Sequence, residues 1–136
     1  MRYLVDTCVL SELRKRHPHP GVVAWIEPRP PISLYLSVLT LGEIRKGIGC
    51  LADGARKFRL LDWLETELPT FFAGRIVPID TQVADCWGRL VAEAGRSLPT
   101  IDSLLAATAL VHDLVLVTRN VKDFGYAPLE IVNPWD

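Results

Sequence analysis

Short apolar runs alternate along the chain with longer segments in which apolar residues recur every three or four positions. The runs Tyr3-Leu4-Val5, Ile32 to Ser37, Ile76-Val77, Leu114 to Val117 and Ile131-Val132 predict strands. They are short and do not alternate cleanly, as expected of parallel strands covered on both faces. Between them the pattern predicts helices over Thr7 to Lys15, Val22 to Ile26, Thr40 to Leu51, Ala55 to Leu68, Asp80 to Ala94 and Pro99 to His112. Thr40 reads as an N-cap, with Glu43 completing a capping box. Phe58, Leu61, Leu64 and Leu68 fall along one predicted helix face, and Val83, Trp87, Leu90 and Val91 along another. Proline-bearing segments at 17–21 and 27–31 read as turns. Strands alternating with helices predict an α/β domain with a mainly parallel sheet.

The length of 136 residues fits one domain and needs no disulfide or zinc staple. A hydrophobic content of 49% with 23% charged residues excludes a disordered chain. The net charge of -1 excludes a generally basic nucleic-acid coat but leaves room for a local basic patch. Cys8, Cys50 and Cys86 are too widely spaced for a disulfide framework or a metal knuckle and read as small apolar fillers with reduced thiols. An acid at position 6 interrupts any signal-peptide core, and no run approaches the ~18–20 apolar residues of a membrane span. These features lead us to expect a cytoplasmic protein.

In open parallel sheets, ligands bind beyond the carboxyl ends of the strands. Asp6 directly follows the first predicted strand, and Thr118-Arg119-Asn120 follows the fourth, with Asp123 just beyond. Glu43 and Asp102 lie in the first turns of helices, the former after the second strand and the latter before the fourth. Each acid alone also has a structural use as a cap, a dipole partner or a turn residue. Together they form a potential cluster. Two like charges 4 Å apart at an effective dielectric of about 20 repel by roughly 4 kcal/mol, so a cluster calls for a cation. Hard oxygen ligands with open positions suit Mg²⁺ or Mn²⁺, which supports metal-dependent phosphodiester hydrolysis.

Four blocks carry a resemblance in order along the chain. They are Tyr3-Leu4-Val5-Asp6-Thr7, Leu39-Thr40-Leu41-Gly42-Glu43-Ile44, the run from Leu98 to Ala109 around Asp102, and Leu116 to Phe124 around Thr118, Asn120 and Asp123. Ile131-Val132-Asn133-Pro134-Trp135 follows as a terminal strand. The sequence resembles the PIN-domain ribonucleases, in particular the VapC-like toxins of type II toxin–antitoxin systems. The resemblance implies a single three-layer α/β/α domain over residues 1–136. It also implies an Mg²⁺- or Mn²⁺-dependent endoribonuclease using an activated water, with Asp6, Glu43, Asp102 and Asp123 as catalytic and metal-binding acids. Thr118 and Asn120 become the site's polar support. The implied partners are RNA, a small cognate antitoxin and a second copy of the chain in a homodimer. Residues 52–72 match no motif.

Other residues are weighed against this reading. Arg45 and Lys46, one turn past Glu43, are the favoured RNA contacts, whereas Arg56, Lys57 and Arg59 read as a solvated helix face. Trp63 and Trp87 fit a core or an interface, and His17 and His19 a surface turn. A haloacid-dehalogenase-like phosphatase would use Asp6 as nucleophile and needs a second acid two residues on, where this chain has Cys8. A non-catalytic acidic pocket for metal or RNA would bind without turnover.

Overall fold

The computed structural model describes residues 1–126 and 128–136. Its core is a five-stranded sheet of β1 (Tyr3–Val5), β2 (Leu34–Ser37), β3 (Ile76–Val77), β4 (Val115–Val117) and β5 (Ile131–Val132). The order is β3-β2-β1-β4-β5 and every pairing is parallel. The chain steps outward from β1 to β2 and β3, then returns to β1's other side for β4 and β5. The order therefore reverses between β1 and β4, and the crevice outside their carboxyl ends is where such sheets bind ligands.

The period-2 alternation of β1 divides the core into two layers. Tyr3 and Val5 face one cluster with Leu36, Ile44, Ile48, Leu64 and Phe72. Leu4 faces the other, with Leu105, Ala106, Ala109, Leu116 and Phe124. The first layer is covered by α1 (Thr7–Leu13), α2 (Pro20–Ile26), α3 (Val38–Gly49) and α4 (Ala55–Asp62). The second is covered by α7 (Thr100–His112), against which α6 (Thr81–Ala94) packs. The Trp87 indole N–H donates to Ser103 Oγ at 2.9 Å and ties α6 to α7.

Four local expectations change. The second strand begins at Leu34, because Pro31–Ser33 form a 3-10 turn that leaves Ile32 74% exposed. The helix after it starts at Val38, capped by Ser37 Oγ accepting from Leu39 N at 3.1 Å. Thr40 lies inside that helix, fully buried and without a hydrogen-bond partner for its hydroxyl among the described residues, so it caps nothing. The α4 helix continues through a π-helical turn at Trp63–Glu67 into α5 (Leu68–Phe71). Leu64 and Leu68, within and just after that turn, are buried, while Phe58 in α4 is 70% exposed. Cys50 is exposed and so fills no core space.

Candidate active site

Asp6 anchors the crevice. It stands one residue beyond β1, and its amide N–H donates to Val117 O at 3.0 Å, extending the β1–β4 pairing to the sheet edge. The residue is 6% exposed, and each of its carboxylate oxygens accepts a hydrogen bond. Oδ1 accepts from Thr7 N at 2.8 Å and caps α1. Oδ2 accepts from the Thr118 hydroxyl at 2.8 Å. Capping α1 leaves Asp6 room for a further partner, since each carboxylate oxygen offers two lone pairs and these bonds leave capacity open.

Thr118 sits just past β4 and is completely buried. Its Oγ1 also accepts from Asn120 N at 3.1 Å, and Asn120 O accepts from Asp123 N at 3.0 Å. This chain of bonds fixes the 3-10 turn Val121–Phe124 that carries Asp123 at the surface. Thr118 bonds to Asp6 through its side chain, whereas Asn120 bonds to Thr118 and Asp123 through its backbone.

Glu43 lies in the second turn of α3 and is tied to the same corner: the Thr7 hydroxyl donates to Glu43 Oε1 at 2.9 Å. Thr7 therefore links two acids, with its N–H on Asp6 and its hydroxyl on Glu43. Its position next to Asp6 was visible in the sequence, but the pairing with a residue 36 positions away was not. Cys8, expected from the sequence to be a small apolar filler, instead places its thiol 3.8 Å from Asp6 Oδ2 and 3.7 Å from Thr118 Oγ1. Burial pushes this thiol above its ordinary pKa, and the Asp6 charge adds to the effect.

Asp102 occupies the first turn of α7, on the far side of the crevice. Burial pushes its carboxyl above the ordinary range, and repulsion from Asp6, Asp123 and Glu43 raises it further. All four predicted acids therefore share one electrostatic neighbourhood. Among the described residues no group of three or more acidic, imidazole or thiol side chains is placed to hold a metal ion together. The donor set is still chemically suited to a hard divalent ion, because it offers carboxylate oxygens and mutual repulsion that a cation relieves. Ions such as Mg²⁺ complete their octahedra with water and need only one or two carboxylates.

The two favoured RNA contacts diverge. Arg45 is paired with Glu65 at 3.2 Å on the surface, which occupies its charge. Lys46 is exposed and lines a shallow depression with Glu43 and Ile101.

The PIN domain family model matches residues 3–125. A VapC ribonuclease of Sinorhizobium fredii is 36% identical over 136 residues, covering 98% of this chain and 97% of the relative. Toxin FitB of Neisseria gonorrhoeae is also 36% identical, with 97% of each chain covered. The crystal structure of FitAcB from the same organism superposes with a TM-score of 0.89 at 35% identity, covering 98% of both chains. With the parallel sheet, the acids at its switch point and a match across almost the whole length, the chain belongs to the PIN domain family.

Proposed function

We propose that this protein is the toxin of a type II toxin–antitoxin pair, a cytoplasmic endoribonuclease dependent on Mg²⁺ or Mn²⁺. The observation that carries the reading is the bonded corner Thr118–Asp6–Thr7–Glu43, which holds two carboxylates at the sheet's switch point beside Asp102 and Asp123. Its relatives' names support the activity: a VapC ribonuclease and the toxin FitB. Toxin–antitoxin complexes among the similar solved structures support a cognate antitoxin as partner. No helix of the described chain is long and apolar enough to cross a membrane.

In this mechanism Asp6, with Asp102, Glu43 and Asp123, would hold the ion. When bound, a divalent ion lowers the pKa of water and stabilises charge on phosphoryl oxygens. Thr118 and Thr7 keep Asp6 in one rotamer, so its orientation is set before substrate arrives. Thr7 does the same for Glu43. Asp102, whose carboxyl is held above the ordinary range by burial and by the neighbouring acids, would add its carboxylate to the same site. RNA then presents its phosphate to this edge, and the chain is cut by water.

The biological role is tested by inducing the chain alone in a bacterial host and together with the product of its neighbouring gene. Growth should stop in the first case and resume in the second. Normal growth with confirmed expression of active protein would remove the toxin role and leave the nuclease reading in place.

A further inference from the structure

A second groove runs away from the acid edge, between α1, α3 and α4. Thr7 and Glu43 stand at its inner end, and Arg14, Arg56 and Arg59 line its walls. Its floor is apolar, formed by Ile44, Leu60 and Trp63.

The ion pairs of the described residues are Lys15–Glu12, Arg45–Glu65, Lys57–Asp53 and Arg89–Asp85. Arg14, Arg56 and Arg59 therefore have no carboxylate partner among the described residues, although all are exposed. Arg14 is held with its guanidinium 5.2 Å from the centre of the Trp63 ring, a cation–π contact that restrains it at the groove wall without neutralising it. Of the residues expected on RNA, Arg45 is paired with Glu65 and Lys46 is exposed without an ion-pair partner among the described residues, and the helix-face arginines 56 and 59 also reach the groove unpaired.

We infer that this groove carries the single-stranded RNA flanking the cleaved bond, with Arg14, Arg56 and Arg59 on its phosphates and unpaired bases on its apolar floor. The inference rests on the ribonuclease reading above. The acid edge repels a polyanion, so a substrate crossing it gains from cations placed just outside the acids. Guanidinium forks match phosphate oxygens. An apolar floor suits unstacked bases, which have faces to bury, and does not suit the outside of a duplex, which presents mainly backbone.

The test measures binding of a fluorescent 20-nucleotide oligouridylate in EDTA, where binding is read independently of cleavage. Three charge-altered proteins are compared with wild type: Arg56→Gln with Arg59→Gln, Arg56→Lys with Arg59→Lys, and Arg89→Gln as a control on α6. The glutamine pair should weaken binding roughly tenfold at ~50 mM salt and flatten the slope of log K against log salt by about 1.4, at ~0.7 per lost phosphate contact. The lysine pair should keep the wild-type slope, and Arg89→Gln should change nothing. The same oligouridylate annealed to oligoadenylate should bind more weakly than the single strand.

An unchanged slope in the glutamine pair would overturn the inference, as would equal affinity for the duplex or wild-type protein that fails to bind the oligonucleotide. Capture of a 20-residue oligoglutamate in place of RNA would overturn it too and assign the groove to an acidic protein segment. Metal-dependent cleavage of a structured RNA panel by the same proteins separates the two claims. Cutting at wild-type efficiency by the glutamine pair would end the groove assignment while preserving the nuclease, whereas a wild type that binds but never cuts would strike the nuclease reading.

Discussion

At the residue scale, Thr118 shows how a neutral side chain serves a charged site. It is completely buried, and its hydroxyl donates to Asp6 while accepting from Asn120 N. Thr118→Val keeps the shape but leaves one side of Asp6 and one backbone N–H without a partner. We expect a loss of about 1–3 kcal/mol in urea unfolding and roughly tenfold weaker Mn²⁺ binding by calorimetry. Wild-type Mn²⁺ affinity in that variant would mean that Thr118 does not orient the acid. Asp102 makes a prediction with a definite sign. Its pKa is raised in the fold, mainly by burial and then by Asp6, so the folded chain binds this proton more tightly than the unfolded chain. Its stability contribution is full at pH below the ordinary carboxylate value and is lost as pH rises through the raised value. In EDTA, Asp102→Asn should therefore melt higher than wild type at pH 7, and the difference should vanish toward pH 3. An equal melting temperature at pH 7 would show that the acid carries no such penalty.

At the scale of elements, the strands were legible because parallel strands are written as short apolar runs: Tyr3-Leu4-Val5 is fully buried and Ile131-Val132 forms the half-buried edge. Helix starts were less legible. Thr40 and Glu43 have capping-box spacing, but Ser37 at the end of β2 turns directly into α3 and takes the cap. The sheet fixes where the chain must leave, and this overrides the local motif. Ser37→Ala should accordingly cost about 1 kcal/mol in urea unfolding. Thr40→Val should be neutral or stabilising by up to ~1 kcal/mol, because it deletes a buried hydroxyl that has no partner among the described residues. The reverse ranking would restore Thr40 as the cap. Phe58, expected on the buried face, belongs to a helix that buries none of its residues, and the π-helical turn that follows has no signature in a 3.6-residue periodicity.

At the scale of the whole molecule, the site arises from topology. Asp6, Glu43, Asp102 and Asp123 are spread over 118 positions of the 136-residue chain, and only the strand reversal between β1 and β4 gives them a common edge. The approach of Asp6 and Asp102 to that edge was legible from a strand end and a helix start, whereas Glu43 stands a turn further into its helix than the spacing predicts. The bonds that organise the acids were not legible, because Thr7–Glu43 and Thr118–Asp6 join residues 36 and 112 positions apart. The central claim is that this acid edge cleaves RNA with a divalent ion, and it is tested most directly by incubating purified protein with a panel of structured RNAs in Mg²⁺, Mn²⁺ or EDTA, beside Asp6→Asn. Asparagine retains the helix cap, so the variant should fold. The account predicts internal cuts that need the ion and that slow by on the order of a hundredfold or more in Asp6→Asn. Cleavage that persists in EDTA, or that proceeds at the wild-type rate in Asp6→Asn, would contradict it.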